Sequence, residues 1–416
     1  QQAQVAGLGD GPIGSVVSHS ESAAELLCAE MTEEGLPVDR STAEGIIAAF
    51  VGPRPSSAVE AAALRSGRDN EVLRHLPEGV EVDLRSSGQV KVLLARLGVE
   101  VVDTRASRLR AVQDRHPIVG ALLSWRKAER MATTYGYPWL DGHLGADGRL
   151  RGVWTGSDGA AGRMTATGGL HSMPADLRPA VRAEPGQVFV RADLGQIEPR
   201  VLAAVSDDHE LATATHDDDL YLRVAAQLAV DRATAKVAVL GAMYGQTTGH
   251  GAQALQRLSA AYPVAMAYLD HAARTAEAGC DIRTYGGRLV RMGSAQISET
   301  GTTEARAVTA ARGRYGRNAV IQGAAAELFK VWAVTVRARS QGTGARIVLC
   351  LHDELIVHAP ADQGQAVARL ISDCLAEAVH RWAPGTPVRF VAYVTVIKRW
   401  SDAKSIASAG HAAVTA

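Results

Sequence analysis

The chain has 416 residues, 47% of them apolar and 21% charged. That is long enough for two or three packed subdomains and excludes a small disulfide-stapled module, a disordered chain or a collagenous one. Lys plus Arg and Asp plus Glu number 44 each, so a uniformly basic nucleic-acid binder is excluded while a locally basic one is not.

Only six of the 44 basic residues are Lys, a bias that fits a GC-rich genome. No apolar run approaches the roughly 20 residues that span a bilayer, so no membrane association is expected. The N-terminal Gln1-Gln2-Ala3-Gln4 carries neither an initiator Met nor a basic-then-apolar signal and reads as a processing boundary. Cys28, Cys280, Cys350 and Cys374 form no CxxC pair, which fits a reducing cytosol and no zinc site.

Residues 1–23 are Gly- and Ser-rich and read as a loosely attached leader. From Glu21 to Phe50 the apolar spacing is helical, broken at Gly35-Leu36-Pro37. Further amphipathic stretches, including 89–97 and 118–134, make residues 24–140 read as all-helical. Gly145-Ala-Asp-Gly148 marks a turn between short strands. Residues 187–193 read as a strand ending on a carboxylate, and helical periodicity returns from 197 to 280. A long buried helix is expected over 318–339. A hairpin follows, 346–351 and 355–359, around His352-Asp353-Glu354. A helix (362–382) and a last strand (388–397) complete the packed part, and the tail from Ser405 is expected to fray. The mixture is of the α+β class.

Asp193 and Asp353 each end an apolar strand-like run. A strand end fixes a side chain tightly, as a metal ligand requires, and two carboxylates brought together suit a pair of Mg²⁺ ions in phosphoryl transfer. Acidic residues are also common at exposed turns, so neither Asp settles the matter alone.

In the segment Asp231–Gly245, Arg232, Lys236, Leu240 and Tyr244 stand four apart. At about 100° per residue they form one winding stripe with Ala and Val behind. The order cation, cation, apolar, aromatic matches a nucleoside triphosphate laid along a helix, although two solvated cations on an ordinary amphipathic helix give the same spacing. Gly245 fits a helix end.

Arg232…Lys236…Leu240…Tyr244-Gly245 resembles motif B of the bacterial DNA polymerase I family (family A). Asp193-Leu-Gly-Gln-Ile-Glu198-Pro-Arg200 resembles its motif A, and Leu351-His352-Asp353-Glu354 its motif C. Arg314…Asn318…Gln322-Gly323, Gly162-Arg163-Met-Thr-Ala-Thr and Tyr285-Gly-Gly-Arg288 resemble further family segments that meet DNA. Met31–Asp39 resembles the stretch before the thumb. The resemblance covers roughly residues 22–404 in the family's order.

The resemblance implies a right-hand polymerase architecture. A helical thumb would cover 24–140, an antiparallel-sheet palm 141–200 and 313–416, and helical fingers 201–312. It implies a DNA-directed DNA polymerase that adds dNTPs to a primer 3′-OH, with two Mg²⁺ ions (or Mn²⁺) on Asp193, Asp353 and the Leu194 carbonyl, and Glu354 as a helper. Lys236 would protonate the leaving pyrophosphate. Arg232, Lys236, Leu240, Tyr244, Glu198, Gln196 and Tyr221 would bind the dNTP, with Glu198 as steric gate against a ribose 2′-OH. Arg163, Arg314, Asn318, Gln322, His352, Tyr285 and Arg288 would meet primer-template DNA. A monomer in the bacterial cytoplasm, at the nucleoid, is implied, with no membrane partner.

Residues 282–318 carry seven Arg against two acids, a locally basic stretch suited to phosphate contacts. Departures from the family are also visible. Leu240 replaces Phe or Tyr, Tyr221 stands where His is common, Gly195 replaces Ser, and Pro199 replaces an apolar residue. The 168–174 segment lacks the expected Asn and Gln, and the fingers look abbreviated. No proofreading constellation or 5′-nuclease domain is found, so an error-prone or poorly processive enzyme suited to repair or lesion bypass is expected. A template-independent or atypical nucleotidyltransferase on the same palm, and a non-catalytic DNA-binding protein derived from a polymerase, remain open.

Overall fold

The computed structural model describes residues 12–77, 79–159, 161–245, 252–292, 303–403 and 414–415. In chain order these form α1 (Pro12–Glu34), β1 (Leu36–Pro37), α2 (Arg40–Val51), α3 (Ala58–Leu73), α4 (Ser87–Arg96), α5 (Ala106–Arg110), α6 (Pro117–Thr134) and α7 (Tyr137–His143). Next come β2 (Arg149–Leu150), β3 (Trp154–Asp158), β4 (Arg163–Ala166), β5 (Gln187–Leu194), α8 (Ile197–Ser206), α9 (His209–Ala214), α10 (Leu220–Leu228) and α11 (Arg232–Tyr244). The rest are α12 (Ala252–Ala261), α13 (Pro263–Glu277), β6 (Ile282–Arg283), β7 (Leu289–Val290), α14 (Thr303–Arg339), β8 (Arg346–Leu351), β9 (Glu354–Pro360), α15 (Gly364–Trp382), β10 (Val391–Ile397) and β11 (Val414–Thr415).

The chain divides into two compact units. One comprises Val38–Leu150 with Gly168–Val181, and the other the described parts of Gln1–Pro37, Arg151–Thr167 and Arg182–Ala416. In the first, helices begin where a short polar side chain can accept an otherwise unpaired N–H. Asp39 accepts from Thr42 at 2.7 Å, Ser57 from Glu60 at 3.2 Å and Ser86 from Gln89 at 3.3 Å. Val72, Val90, Leu94, Leu109, Ile118 and Leu122 form its buried core. Residues 24–37, which include the short β1, group with the other unit, and 168–181 group here. The cause is local bonding. The Trp139 indole donates to the Gly168 carbonyl at 2.7 Å, Lys127 pairs with Asp176 at 2.8 Å, and Val38 bridges Val181.

The other unit is built on an antiparallel sheet in the order β11-β10-β5-β9-β8. Helix α15 packs on β10 and β5, and α14 packs on α1, α13 and α15. Trp332 and Trp382 are fully buried in this core, and the Trp332 indole is satisfied by the Ile371 carbonyl at 3.0 Å. Residues 12–23 are not a loose leader: they form the first half of α1, whose Val17, Ala24, Leu27 and Met31 are buried on one face. Residues 1–11 lie outside the described residues, as does most of the tail expected to fray, although Val414 and Thr415 pair with β10. The helix expected from 318 starts at Thr303. Contrary to the sequence reading, it is long and apolar enough to cross a bilayer, but 89% of its apolar stretch is buried inside the protein, as in a core helix.

Candidate active site

Two strands deliver the carboxylates. In the β5–β9 register Asp193 lies opposite Glu354, and the two-residue turn His352-Asp353 joins β8 to β9, with His352 at φ 58°. The Leu194 N–H donates to the Asp353 carbonyl at 3.0 Å, which brings the end of β5 beside that turn. Burial pushes the Asp193 carboxyl up to about 6, with Asp353 and Glu354 adding to the rise and Arg191 opposing it. Asp353 is raised as well, first by burial and then by Glu354. Carboxylates crowded in this way call for a cation.

Glu354 is the most enclosed of the three acids. Its Oε1 accepts from Arg191 Nε at 2.6 Å and from the Trp400 indole at 2.7 Å. Arg191 Nη2 reaches Asp193 Oδ2, also at 2.6 Å. Among the described residues no three His, Cys, Asp or Glu side chains are arranged to hold a metal by themselves. Asp193, Asp353 and the Leu194 carbonyl are nevertheless hard oxygen donors of the kind Mg²⁺ takes when water and substrate phosphates complete its shell. The donor set fits that ion.

Beside the carboxylates lies a cavity of about 260 Å³, walled among others by Leu194, Asp353, Glu198, Tyr221, Lys236 and Leu240. Gln196, Arg163 and His352 also line it, while Asp193, Arg232 and Tyr244 do not. The stripe on α11 forms as expected: Arg232 and Lys236 are exposed and Leu240 and Tyr244 half-buried, with Ala235, Ala238, Val239 and Met243 packed behind. Gly245 ends the helix at φ 67°, and a Cβ there would stand 2.7 Å from Arg314 Cγ. The Tyr221 ring faces both cations, 5.7 Å from Arg232 and 5.9 Å from Lys236.

Other predicted residues are held by one another. Glu198 accepts from Arg163 and from the Tyr244 hydroxyl, both at 3.0 Å. Gln196 donates to Asp219 and accepts from the Leu220 N–H, each at 2.8 Å. Asp219 in turn accepts from Arg232. Burial and Arg163 keep His352 below its usual value. Arg314 is exposed and Asn318 half-buried on α14, four residues apart.

Tyr285 and Arg288 are turned inward. The Tyr285 ring packs on Trp382 at 4.8 Å, and Arg288 bonds Ser157 at 2.9 Å and pairs with Glu21. Both side chains are half-buried, and Arg288 meets the half-buried Glu21 on α1. Lys330 shares Glu21 and donates to the Gly162 carbonyl at 2.8 Å, fixing the turn before Arg163. Arg317, another member of the basic stretch, pairs with Asp270; positions 293–302 of that stretch lie outside the described residues.

The sequence reading missed three contributors. Arg191 sits two residues before Asp193, so strand alternation places both on one face. Trp400 carries no local signal. Arg200, quoted only within its motif, is fully buried and donates to five carbonyls, those of Gly195, Thr215, Asp217, Asp218 and Arg389. The structure also explains Gly195 in place of Ser: a Cβ there would lie 2.6 Å from Val391 Cγ2 and 2.8 Å from the Tyr393 ring. Pro199 falls in the first turn of α8, where a missing N–H costs nothing.

Residues 67–402 match the family model of DNA polymerase family A. DNA polymerase I of Chloroflexus aurantiacus is 31% identical over 326 residues, which is 68% of this chain and 34% of that protein. The thermostable DNA polymerase I of Thermus aquaticus is 29% identical over 335 residues, 71% of this chain and 40% of that one. The chain thus spans about a third to two fifths of these relatives. The POL domain of Pol1 from M. smegmatis, in complex with DNA primer-template and dNTP, superposes with a TM-score of 0.75 at 22% identity, covering 92% of this chain and 70% of that chain. The likeness bears out the expected α+β polymerase fold.

Proposed function

The chain belongs to DNA polymerase family A, and on that premise we propose that it is a DNA-directed DNA polymerase extending a primer 3′-OH with dNTPs. One observation carries the reading. Asp353 lines a cavity walled also by Leu194, Glu198, Tyr221, Lys236 and Leu240, and the Leu194 N–H bond to the Asp353 carbonyl holds the strand end that carries Asp193 against the same turn. We assign the five-stranded sheet to the palm, the described helices of 201–312 to the fingers, and the unit of Val38–Leu150 and Gly168–Val181 to the thumb.

Asp193, Asp353 and the Leu194 carbonyl would hold divalent cations, two Mg²⁺ ions in the family's arrangement or Mn²⁺ in their place. Bound there, such ions supply charge neutralisation at the transferring phosphoryl group and at the attacking and leaving oxygens. Arg232 and Lys236 hold the triphosphate, and Lys236, which lines the cavity, gives a proton to the leaving pyrophosphate. Leu240 meets the sugar and Tyr244 the templating position. Arg163, Gln322 and His352 face the primer-template, and Arg314 and Asn318 contact its backbone. The reading extends to synthesis without proofreading by this stretch of chain, in repair or lesion bypass. The reading extends to a monomer working in the bacterial cytoplasm at the nucleoid.

Extension of a labelled primer with dNTPs and Mg²⁺, with and without template, tests the reading. Complementary, template-dependent addition is expected. Addition without template would replace the polymerase by a terminal transferase, and silence with duplex still bound would leave a DNA-binding protein.

Two further outcomes follow from the site. Glu198→Ala removes the side chain that Arg163 and Tyr244 hold in place, so selectivity for dNTPs over rNTPs should drop about 10- to 100-fold, the range that a small steric difference in a pocket commands. Glu198→Gln keeps the volume and should keep the selectivity. Competition kinetics with paired nucleotides measures both, and unchanged discrimination in the alanine variant rules out the gate.

The second outcome concerns pH. Cation binding needs Asp193 ionised, and its carboxyl sits at about 6 in the metal-free protein. Below that value proton and cation compete, so apparent Mn²⁺ affinity should fall about tenfold per pH unit and level off above it. Titrations between pH 5 and 7.5 check this; a flat profile contradicts it.

A further inference from the structure

We infer that Arg191 is a built-in cation of the carboxylate centre, competing with divalent ions for Asp193 and Glu354 and so raising the cation concentration at which the site fills. The inference rests on the reading that Asp193 and Asp353 hold metal.

The guanidinium bridges two strands. Arg191 and Asp193 share a face of β5, and Glu354 lies opposite Asp193 on β9. Arg191 Nη2 bonds Asp193 Oδ2 and Nε bonds Glu354 Oε1, each at 2.6 Å. The side chains are 17% exposed for Arg191, 31% for Asp193 and 7% for Glu354. Charge-assisted bonds this short and this sheltered from water are strong, and an always-protonated guanidinium cannot leave by losing its proton.

Trp400 pins the same Glu354 oxygen at 2.7 Å, so Glu354 cannot swing away and take Arg191 with it. One oxygen of Asp193 is therefore occupied in the metal-free state. Asp193, Asp353 and Glu354 carry three formal negative charges, and Arg191 cancels one of them. An incoming divalent ion meets a weaker field and a ligand oxygen already engaged. A neutral side chain at this position would leave all three charges to the ion.

The opposite role is also chemically sound. An arginine that merely orients a ligand strengthens metal binding, and its loss weakens it. The sign of the change separates the two.

The experiment is Mn²⁺ binding to the full chain without DNA or nucleotide, by electron paramagnetic resonance and calorimetry at pH 7.5. Wild type, Arg191→Met, Arg191→Gln, Arg191→Lys and Asp193→Asn are compared. Both neutral variants should bind Mn²⁺ about tenfold tighter or more, since a full charge is removed at contact distance from a ligand oxygen. Arg191→Lys keeps the charge and should stay within about threefold of wild type. Both neutral variants should also show a larger Mn²⁺-induced rise in melting temperature than wild type, and if Arg191→Met folds poorly, Arg191→Gln carries the comparison. Equal or weaker Mn²⁺ binding in the neutral variants, with binding lost in Asp193→Asn, overturns the inference and leaves the metal assignment standing. Mn²⁺ binding that survives Asp193→Asn, or no binding in any protein, overturns the metal assignment and the inference with it.

Discussion

Primer extension by Asp193→Ala or Asp353→Ala is expected to fall by about 10³-fold or more, while affinity for duplex DNA stays within a few-fold of the unaltered protein. The loss follows from what the carboxylates do. A bound cation stabilises transition-state charge by several kcal/mol, and about 4 kcal/mol corresponds to three decades in rate. On the proposed reading binding is spared, because the duplex would be held mainly through phosphates, by cations such as Arg314 on α14, which does not line the cavity beside Asp353. The two variants differ in one respect. Asp193→Ala also frees one arm of Arg191, leaving that guanidinium on Glu354 alone, so Asp193→Asn is the better match to Asp353→Ala. Single-turnover extension measures the first quantity and fluorescence anisotropy with labelled duplex the second. Extension at the wild-type rate by either variant would show that the metal assignment is wrong.

The carboxylates were legible in the sequence because their setting is local. An apolar run of β-prone residues ending on Asp marks a strand end, and the short spacing from Leu351 to Leu355 admits only a tight turn. The β5–β9 register then brings Asp193 and Glu354 together. The α11 stripe was legible for a similar reason, since spacing by four translates directly into one helix face. What was not legible involved partners distant in sequence. Arg288 and Arg232 are the same residue type in comparably basic surroundings, yet Arg288 is drawn to Glu21, 267 residues away. Arg232 meets Asp219 only 13 residues off and remains exposed. Nothing local to Arg288 announces Glu21. The leader was misread because Gly and Ser dilute the apolar face of α1, and that face becomes meaningful only against α14 and β3. Arg191 is an intermediate case: alternation along β5 places it beside Asp193, but its bond to Glu354 depends on the register of a strand 163 residues later.

Arg200→Met is expected to destabilise the protein by about 3–5 kcal/mol, among the largest effects of any single substitution here. The wild-type side chain is fully buried with no acid beside it in hydrogen-bond contact. Nε donates to the Gly195 carbonyl at 3.0 Å, Nη2 to those of Asp217 and Asp218 at 2.9 and 3.0 Å, and Nη1 to those of Thr215 and Arg389. Burial lowers its value to about 10, which still leaves it protonated at neutral pH. The planar fork is the one side chain able to serve five carbonyls that converge from three segments. Methionine fills similar volume but leaves the carbonyls without that donor, at about 1–3 kcal/mol for each that water cannot reach. Lysine, with three donors on one atom, should recover only part of the loss. Thermal unfolding should drop by roughly 5–10 °C for Arg200→Met. Function should fall as well at temperatures where the variant is folded, because Gly195 follows Asp193 and Leu194 directly and Gln196 bonds Asp219 from the same turn. A variant that melts with wild type, or that extends primers normally once folded, would mean that this buried arginine does not position the carboxylate strand end.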